Sequence, residues 1–265
     1  TPSFAQTYDL CASDGTVTIG GAAIPIWGFA DITGGGTCTT GLATLPGPQL
    51  TAADGATLTI NLSNALGVDV SVFIPGLAKT VGDPLVPQTA ADLQGRQRLT
   101  SLDETAAAGA SRSYSWTARE GTYLYQSGAD VRTQVPMGLY GALVVTGADY
   151  PAVAADEVLV FSEIDPNLNN ALDKTLYGGA RVISWNPQYF LINGKAYPDT
   201  AAIAVNLSDD VLLRFVNAGL QTFVPTLGGG LYMDVIAEDG NLYPHPLTQY
   251  GIELQAAKTI DAVIN

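Results

Sequence analysis

Short alternating runs, each closed by a chain-reversing residue, constrain this chain most. Apolar and polar residues alternate with period two. The β-branched and aromatic runs end at Gly, Pro, Asn or Asp, supplied by 29 glycines and 15 prolines. This pattern predicts strands over residues 16–19, 24–29, 57–61, 68–74, 111–116, 121–126 and 139–145. No window offers an amphipathic helix of about 12 residues or more. Only 89–93 and 167–173 suggest short helical turns in loops. The spacing suits an all-β sandwich of antiparallel strands.

A second series follows the stretch 147–155, with strands expected at 157–162, 189–192, 203–207, 211–217, 232–237, 252–254 and 259–264. The two series echo one another. LTINLSNAL around Asn64 parallels VLLRFVNAGL around Asn217, and these asparagines lie 153 residues apart. A tandem repeat of one sandwich module accounts for the echo. The expected layout is a first domain over 1–148, a linker over 149–156 and a second domain over 157–265.

The chain carries 25 acids against 11 bases, a net charge of −14. Such a surface repels phosphate backbones and argues against nucleic-acid binding. The bases are scattered, so no patch marks an anionic membrane, and no run reaches the ~20 apolar residues of a membrane span. Charged residues are 14% of the chain, low beside the ~25% usual in soluble domains. Cys11 and Cys38 lie outside any C-x-x-C motif, and a disulfide is favoured over free thiols. It would close a loop of about 28 residues for ~3 kcal/mol and place the protein in an oxidising compartment. The N-terminal TPSFAQTYDL has the look of a mature end after signal removal. Location is therefore expected to be secreted: extracellular, cell-surface or periplasmic. Sequons begin at Asn61 and Asn206, near predicted strand ends, and such triplets arise often by chance.

Motifs in order along the chain carry a resemblance. They are PGPQL (46–50), NLSNAL (61–66), SVFIPG (71–76), GTYLYQSG (121–128) and MGLYGALVV (137–145). SEID (162–165), FLINGKAYP (190–198), LLRFVNAGL (212–220), VIAEDGNLYP (235–244) and AKTIDAVIN (257–265) continue them. The chain resembles tandem cupredoxin domains of the multicopper oxidase superfamily, nearest to a bacterial branch whose first-domain histidine motifs are degenerate. The resemblance implies two Greek-key β-sandwiches. It also implies copper-binding histidines at four positions, where this chain has Phe73, Pro75, Gln126 and Gly128. In the family, AKTIDAVIN leads into further strands. As written, the second sandwich is expected to be incomplete, through truncation or through an open edge that invites strand addition from another chain.

Chemistry is scarce. A type 1 copper site needs a thiolate and two imidazoles, usually with a Met, and the resembled family's trinuclear cluster needs a set of histidines. The only imidazole is His245, read as lying in a loop. Met137 and Met233 sit in apolar strand contexts and read as core. No G-x-S-x-G elbow is present, and Ser127 lies on no strand-to-helix turn. The carboxylate pairs Glu163/Asp165, Glu238/Asp239 and Asp209/Asp210 are assigned to turns and solvation before any acid–base role. Tyr123, Tyr125 and Tyr140, with Trp185, Tyr189 and Phe190, are expected in cores, and Gly34–Gly36 and Gly228–Gly230 lack a P-loop lysine. The expectation is a protein without a cofactor and without catalytic or metal residues. It would act as a secreted structural or interaction protein with a protein partner, and self-assembly is one form of this. The alternative is a fragment of a multicopper oxidase-like oxidoreductase whose ligands lie further along the protein.

Overall fold

The computed structural model describes residues 5–171, 185–206 and 209–264. Its first half contains nine strands: β1 (Gln6–Ile19), β2 (Ala22–Asp31), β3 (Leu50–Ala53), β4 (Thr57–Asn64), β5 (Gln88–Ala91), β6 (Gln97–Ser101), β7 (Ser111–Thr117), β8 (Gly121–Gln126) and β9 (Tyr140–Thr146). A seven-residue helix α1 (Val131–Met137) sits between β8 and β9.

β1 and β2 form a hairpin whose two-residue turn is Gly20-Gly21, both at positive φ, as a turn matched to strand twist requires. β1 also pairs in parallel with β4, and β4 antiparallel with β7, giving the sheet order β2-β1-β4-β7. β4 alternates strictly, so Leu58, Ile60 and Leu62 point inward. A second sheet, β3-β9-β8, supplies the opposing face with Leu50, Tyr123, Tyr125, Leu143 and Val145. Each such buried side chain contributes about 1.5–3 kcal/mol. The PGPQL motif serves this closure: Gly47 N donates to Tyr140 O at 2.8 Å, and Tyr125 Oη donates to Pro48 O at 2.6 Å. The Tyr125 ring lies so close to Gly141 that no Cβ fits there. A disulfide joins Cys11 in β1 to Cys38 in the loop after β2.

The second half contains β10 (Ala155–Ile164), the five-residue helix α2 (Pro166–Asn170), β11 (Tyr189–Ile192), β12 (Lys195–Ala196), β13 (Val211–Asn217), β14 (Met233–Glu238), β15 (Asn241–Gln249) and β16 (Thr259–Ile264). They make one sheet, ordered β12-β11-β10-β13-β16-β14-β15. Its centre repeats the first half: β10 pairs parallel with β13, and β13 antiparallel with β16. The sequence echo is a structural one. Asn64 Nδ2 donates to Val68 O and Ala106 O, and Asn64 Oδ1 accepts from Leu66 N. Asn217 Nδ2 donates to Gln221 O and Leu254 O, and Asn217 Oδ1 accepts from Gly219 N. The same side chain ties the end of the same strand to the segment that follows it.

Several expected elements differ. Residues 68–74 make single bridges at Val70 and Phe73 rather than a strand, and 252–254 makes only the bridge at Leu254. Residues 89–93 are no helical turn. They begin the β5–β6 hairpin, because the Asp92 carboxylate accepts from Gln94 N and Arg96 N and Gly95 turns at positive φ. Residues 203–206 have no regular structure, and Leu207 and Ser208 of that sequon lie outside the described residues. The turn at 167–173 is α2 as far as Asn170, and residues 172–173 fall outside them too. Met137 ends α1 instead of lying in a strand, since α1 takes up the chain between Asp130 and Gly138. His245 belongs to strand β15, the sheet's edge.

Candidate functional site

The segment 71–76 runs beside the end of β8. Phe73 N donates to Gln126 O at 2.8 Å and Gln126 N to Phe73 O at 2.9 Å. Two residues on, Gly128 N donates to Ser71 Oγ at 3.1 Å, and Ser71 Oγ lies 3.1 Å from Ser101 Oγ. Phe73, Gln126 and Gly128 are thus brought together. Pro75 lies apart, in a cavity of about 100 Å³ shared with Tyr123, Leu124 and Asp239.

Copper does not fit these residues. Phe73 and Pro75 have no donor atom, and Gln126 offers an amide, a poor copper ligand beside imidazole. Gly128 offers no side chain, and one would be crowded: a Cβ there would meet Ser71 Oγ at 2.9 Å, Phe73 Cβ at 3.2 Å and Leu102 Cβ at 3.3 Å. His245 is exposed on β15. Both cysteine sulfurs are spent in the disulfide. Among the described residues, no three His, Cys, Asp or Glu side chains group as metal ligands do.

The remaining candidates have structural partners. Ser127 Oγ donates to Gln134 Oε1 at 2.6 Å within the core. Met137 and Met233 are fully buried. The carboxylates Glu163 and Asp165 are not solvated, as turn acids would be; both are buried, because they satisfy backbone donors. Glu163 Oε1 accepts from Leu220 N at 2.6 Å and Gln221 N at 3.0 Å, and burial holds its pKa above the usual glutamate value despite them. Asp165 Oδ1 accepts from Asn167 N at 2.9 Å, capping α2. Glu238 and Asp239 bind Lys258 at 2.5 and 2.6 Å. Asp209 accepts from Asn206 N. Tyr123, Tyr125 and Tyr140 are core, whereas Phe190 is half exposed against Phe223.

The polar cluster that sequence reading missed lies between the halves. The Arg214 guanidinium holds Asp156 through two bonds of 2.6 and 2.9 Å and donates to Thr122 Oγ1 at 2.9 Å. Asp261 sits 3.8 Å from it and accepts from Tyr150 Oη at 2.6 Å. Thr259 Oγ1 donates to Thr122 O, tying β16 to β8. Burial lifts the Asp261 carboxyl to about 6, against the pull of Arg214 and the Tyr150 hydroxyl. A signal was present: VLLRFVN and TIDAVI each place one charge inside an apolar strand, and Arg214 and Asp261 face each other in register.

Two cupredoxin-like halves joined through a buried interface define a class, and comparison with known proteins agrees with it. Models of the multicopper oxidase family match residues 36–149 and 161–265. The chain belongs to the multicopper oxidase superfamily. It is 24% identical to the multicopper oxidase LPR1 homolog 1 of Oryza sativa subsp. japonica, covering 84% of this chain and 43% of that protein. It is 23% identical to the copper resistance protein A of Escherichia coli, over 83% of this chain and 41% of that one. The chain therefore spans less than half the length of these curated relatives. Among solved structures, it resembles a blue copper oxidase from Nitrosomonas europaea with TM-score 0.79 and 20% identity, covering 99% of this chain and 76% of that one. The multicopper oxidase mgLAC gives TM-score 0.77 at 21% identity, covering 98% and 76%.

Proposed function

We propose that this part of the protein is a non-catalytic, secreted binding or structural scaffold, an oxidase framework that works without copper. The observation that carries this is the set of side chains at the four positions, where Phe73 and Pro75 have no donor atom and Gly128 is crowded by Ser71, Phe73 and Leu102. The disulfide supports an oxidising compartment. No helix among the described residues is long and apolar enough to cross a membrane. A protein partner, including a second copy, would land near β15. Leu242, Leu247 and Tyr250 are exposed there, with Tyr232 against Tyr250. Main-chain addition at that edge is hindered, because Pro244 and Pro246 lack N–H donors and β15 bulges over Tyr243–Pro246. Association there would rest on side chains. Light scattering over a range of concentrations tests it, and a monomer throughout speaks against self-assembly.

The test of the main reading is metal analysis of the purified full-length protein, with phenol, ferrous and cuprous oxidation assays. The expected outcome is substoichiometric copper and no turnover. Stoichiometric copper with turnover would overturn it. The second reading, part of a multicopper oxidase-like oxidoreductase with ligands elsewhere in the protein, is favoured by the 43% and 41% coverage of the curated relatives. Copper in the full-length protein that survives replacement of Gln126 by Ala would favour that reading.

A further inference from the structure

Lys79 lies just before the β5–β6 hairpin, and Asp103 lies just after it. Residues 78–80 run along the edge of β7, where Thr117 N donates to Ala78 O and Thr80 N to Ser115 O, both at 3.0 Å. This pairing fixes the Lys79 backbone. The Lys79 side chain crosses the rings of Trp116 and Tyr114, with Nζ 4.6 and 5.0 Å from their centroids. That side chain is 5% exposed, and Asp103 is 0% exposed.

The two oxygens of Asp103 have different surroundings. Oδ1 accepts from Val86 N at 3.1 Å and from Glu104 N at 2.9 Å. Oδ2 lies 3.1 Å from Lys79 Nζ, but the two are not aligned as a hydrogen bond, and Oδ2 has no other partner. Two main-chain donors therefore polarise one side of the carboxyl group, and an amine stands at its bare side. A third group completes the arrangement: Asp83 Oδ2 accepts from Nζ at 2.6 Å.

As two ions, Lys79 and Asp103 are a poor use of the interior. A buried ion pair offsets its lost hydration only when its remaining lone pairs are bonded, and Oδ2 does not meet that condition. An amide made from the same atoms carries no charge. Its oxygen would keep both donors of Oδ1, and its N–H would still face Asp83.

We propose that Lys79 and Asp103 condense into an intramolecular isopeptide bond that staples the base of the β5–β6 hairpin. Nζ gives a proton to Asp83 and attacks Cγ of Asp103, forming the Nζ–Cγ bond. The charge that develops on Oδ1 is held by Val86 N and Glu104 N, which already point at it. Asp83 carries that proton and a second one from Nζ to Oδ2. The Cγ–Oδ2 bond then breaks and one water leaves. Ammonium and carboxylate become amide and water, so no oxidant or other reactant is needed. The fold holds the two groups in contact, which makes the step effectively unimolecular. Asp83 is the poorer target, because it is 20% exposed and its Oδ2 also accepts from Ser115 N. The staple is independent of any copper the full-length protein holds.

The experiment is mass spectrometry of the full-length protein after reduction of the disulfide, with peptide mapping. The parent should be lighter than its sequence by one water, and the peptides carrying Lys79 and Asp103 should emerge as one branched species. Asp103→Asn should give the same linked product by losing ammonia instead. Lys79→Met should restore the full mass and two separate peptides, and Asp83→Ala should leave most molecules unlinked. The proposal falls if the parent has its full sequence mass and yields only separate peptides. It also falls if the branch maps to Asp83, or if the loss of water persists in Lys79→Met and so belongs to a dehydration elsewhere.

Discussion

In the first half, the face of β1, β4 and β7 that carries Leu58, Ile60 and Leu62 is covered by the sheet β3-β9-β8. In the second half, the corresponding face of β13 and β16 carries Leu213, Phe215 and Ile260, and non-strand segments bearing Phe223, Leu227, Ile252 and Leu254 pack on it. No opposing sheet covers it among the described residues. Trp116 and Tyr125 in the first core are at most 1% exposed; Leu254 and Phe215 in the second are as deeply buried, at 0% and 2%, and Phe190 at its rim is 51% exposed. The same strand clamp thus carries two kinds of cover among the described residues, a sheet in the first half and non-strand segments in the second.

The largest effect that sharpens this contrast is expected at Trp116. The ring packs in the first core and lies 4.6 Å from the Lys79 ammonium, itself nearly buried. Trp116→Ala should cost about 3–5 kcal/mol in urea unfolding. Phe190→Ala, at an exposed edge-on contact with Phe223, should cost below about 1 kcal/mol. Equal costs would mean that the second core is as well closed as the first.

The paired clamps come next. Asn64→Ala strands Val68 O and Leu66 N, and Asn217→Ala strands Gln221 O and Gly219 N, while Ala106 O and Leu254 O keep Val70 N and Phe223 N as donors. Each should cost about 2–3 kcal/mol. Amide exchange should localise the loss, to β4 and β7 for Asn64 and to β13 and β16 for Asn217. A change at Asn217 that loosens the first half equally would show that the halves unfold as one unit.

How much of this was legible depended on range. β4 and β7 stood out in the sequence through their period-two alternation, and β8, β13 and β16 as short apolar runs bounded by turn residues, because both patterns are written in neighbouring residues. The clamp was visible as an echo, since one side chain does the same work twice. The hairpin β5–β6 was misread as helical because TAADL has good helix formers, and Asp92 with Gly95 overrode that propensity. β15 was hidden by its prolines, which are allowed only because it is an edge. Phe73, Pro75, Gln126 and Gly128 were found through the resemblance. That Ser71, Leu102 and Phe73 close on Gly128 depends on contacts far apart in the chain, as does the meeting of Lys79 with Asp103, and no local pattern records them.

A smaller effect than that of either clamp is expected at the seam between the halves. Asp261 faces Arg214, Asp156 and Tyr150, with Thr122 and Thr259 beside them. In the folded chain its carboxyl keeps a proton up to about 6, against 3.8 for an ordinary aspartate. Between those values the folded state binds more protons than the unfolded one, so stability falls as pH rises through this window and is level above it. The full shift corresponds to about 3 kcal/mol; relaxation and water entry reduce it to of order 1–2 kcal/mol. Asp261→Asn cannot ionise and should flatten the stability curve between about pH 4 and pH 6, where Asp261 alone changes charge between the two proteins. Glu163 and Glu238 titrate in both and cancel in the difference. Urea unfolding midpoints at a series of pH values measure it. An unchanged slope would mean that Arg214 keeps Asp261 ionised throughout, and that the seam is held by a standing ion pair and not by a buried neutral acid.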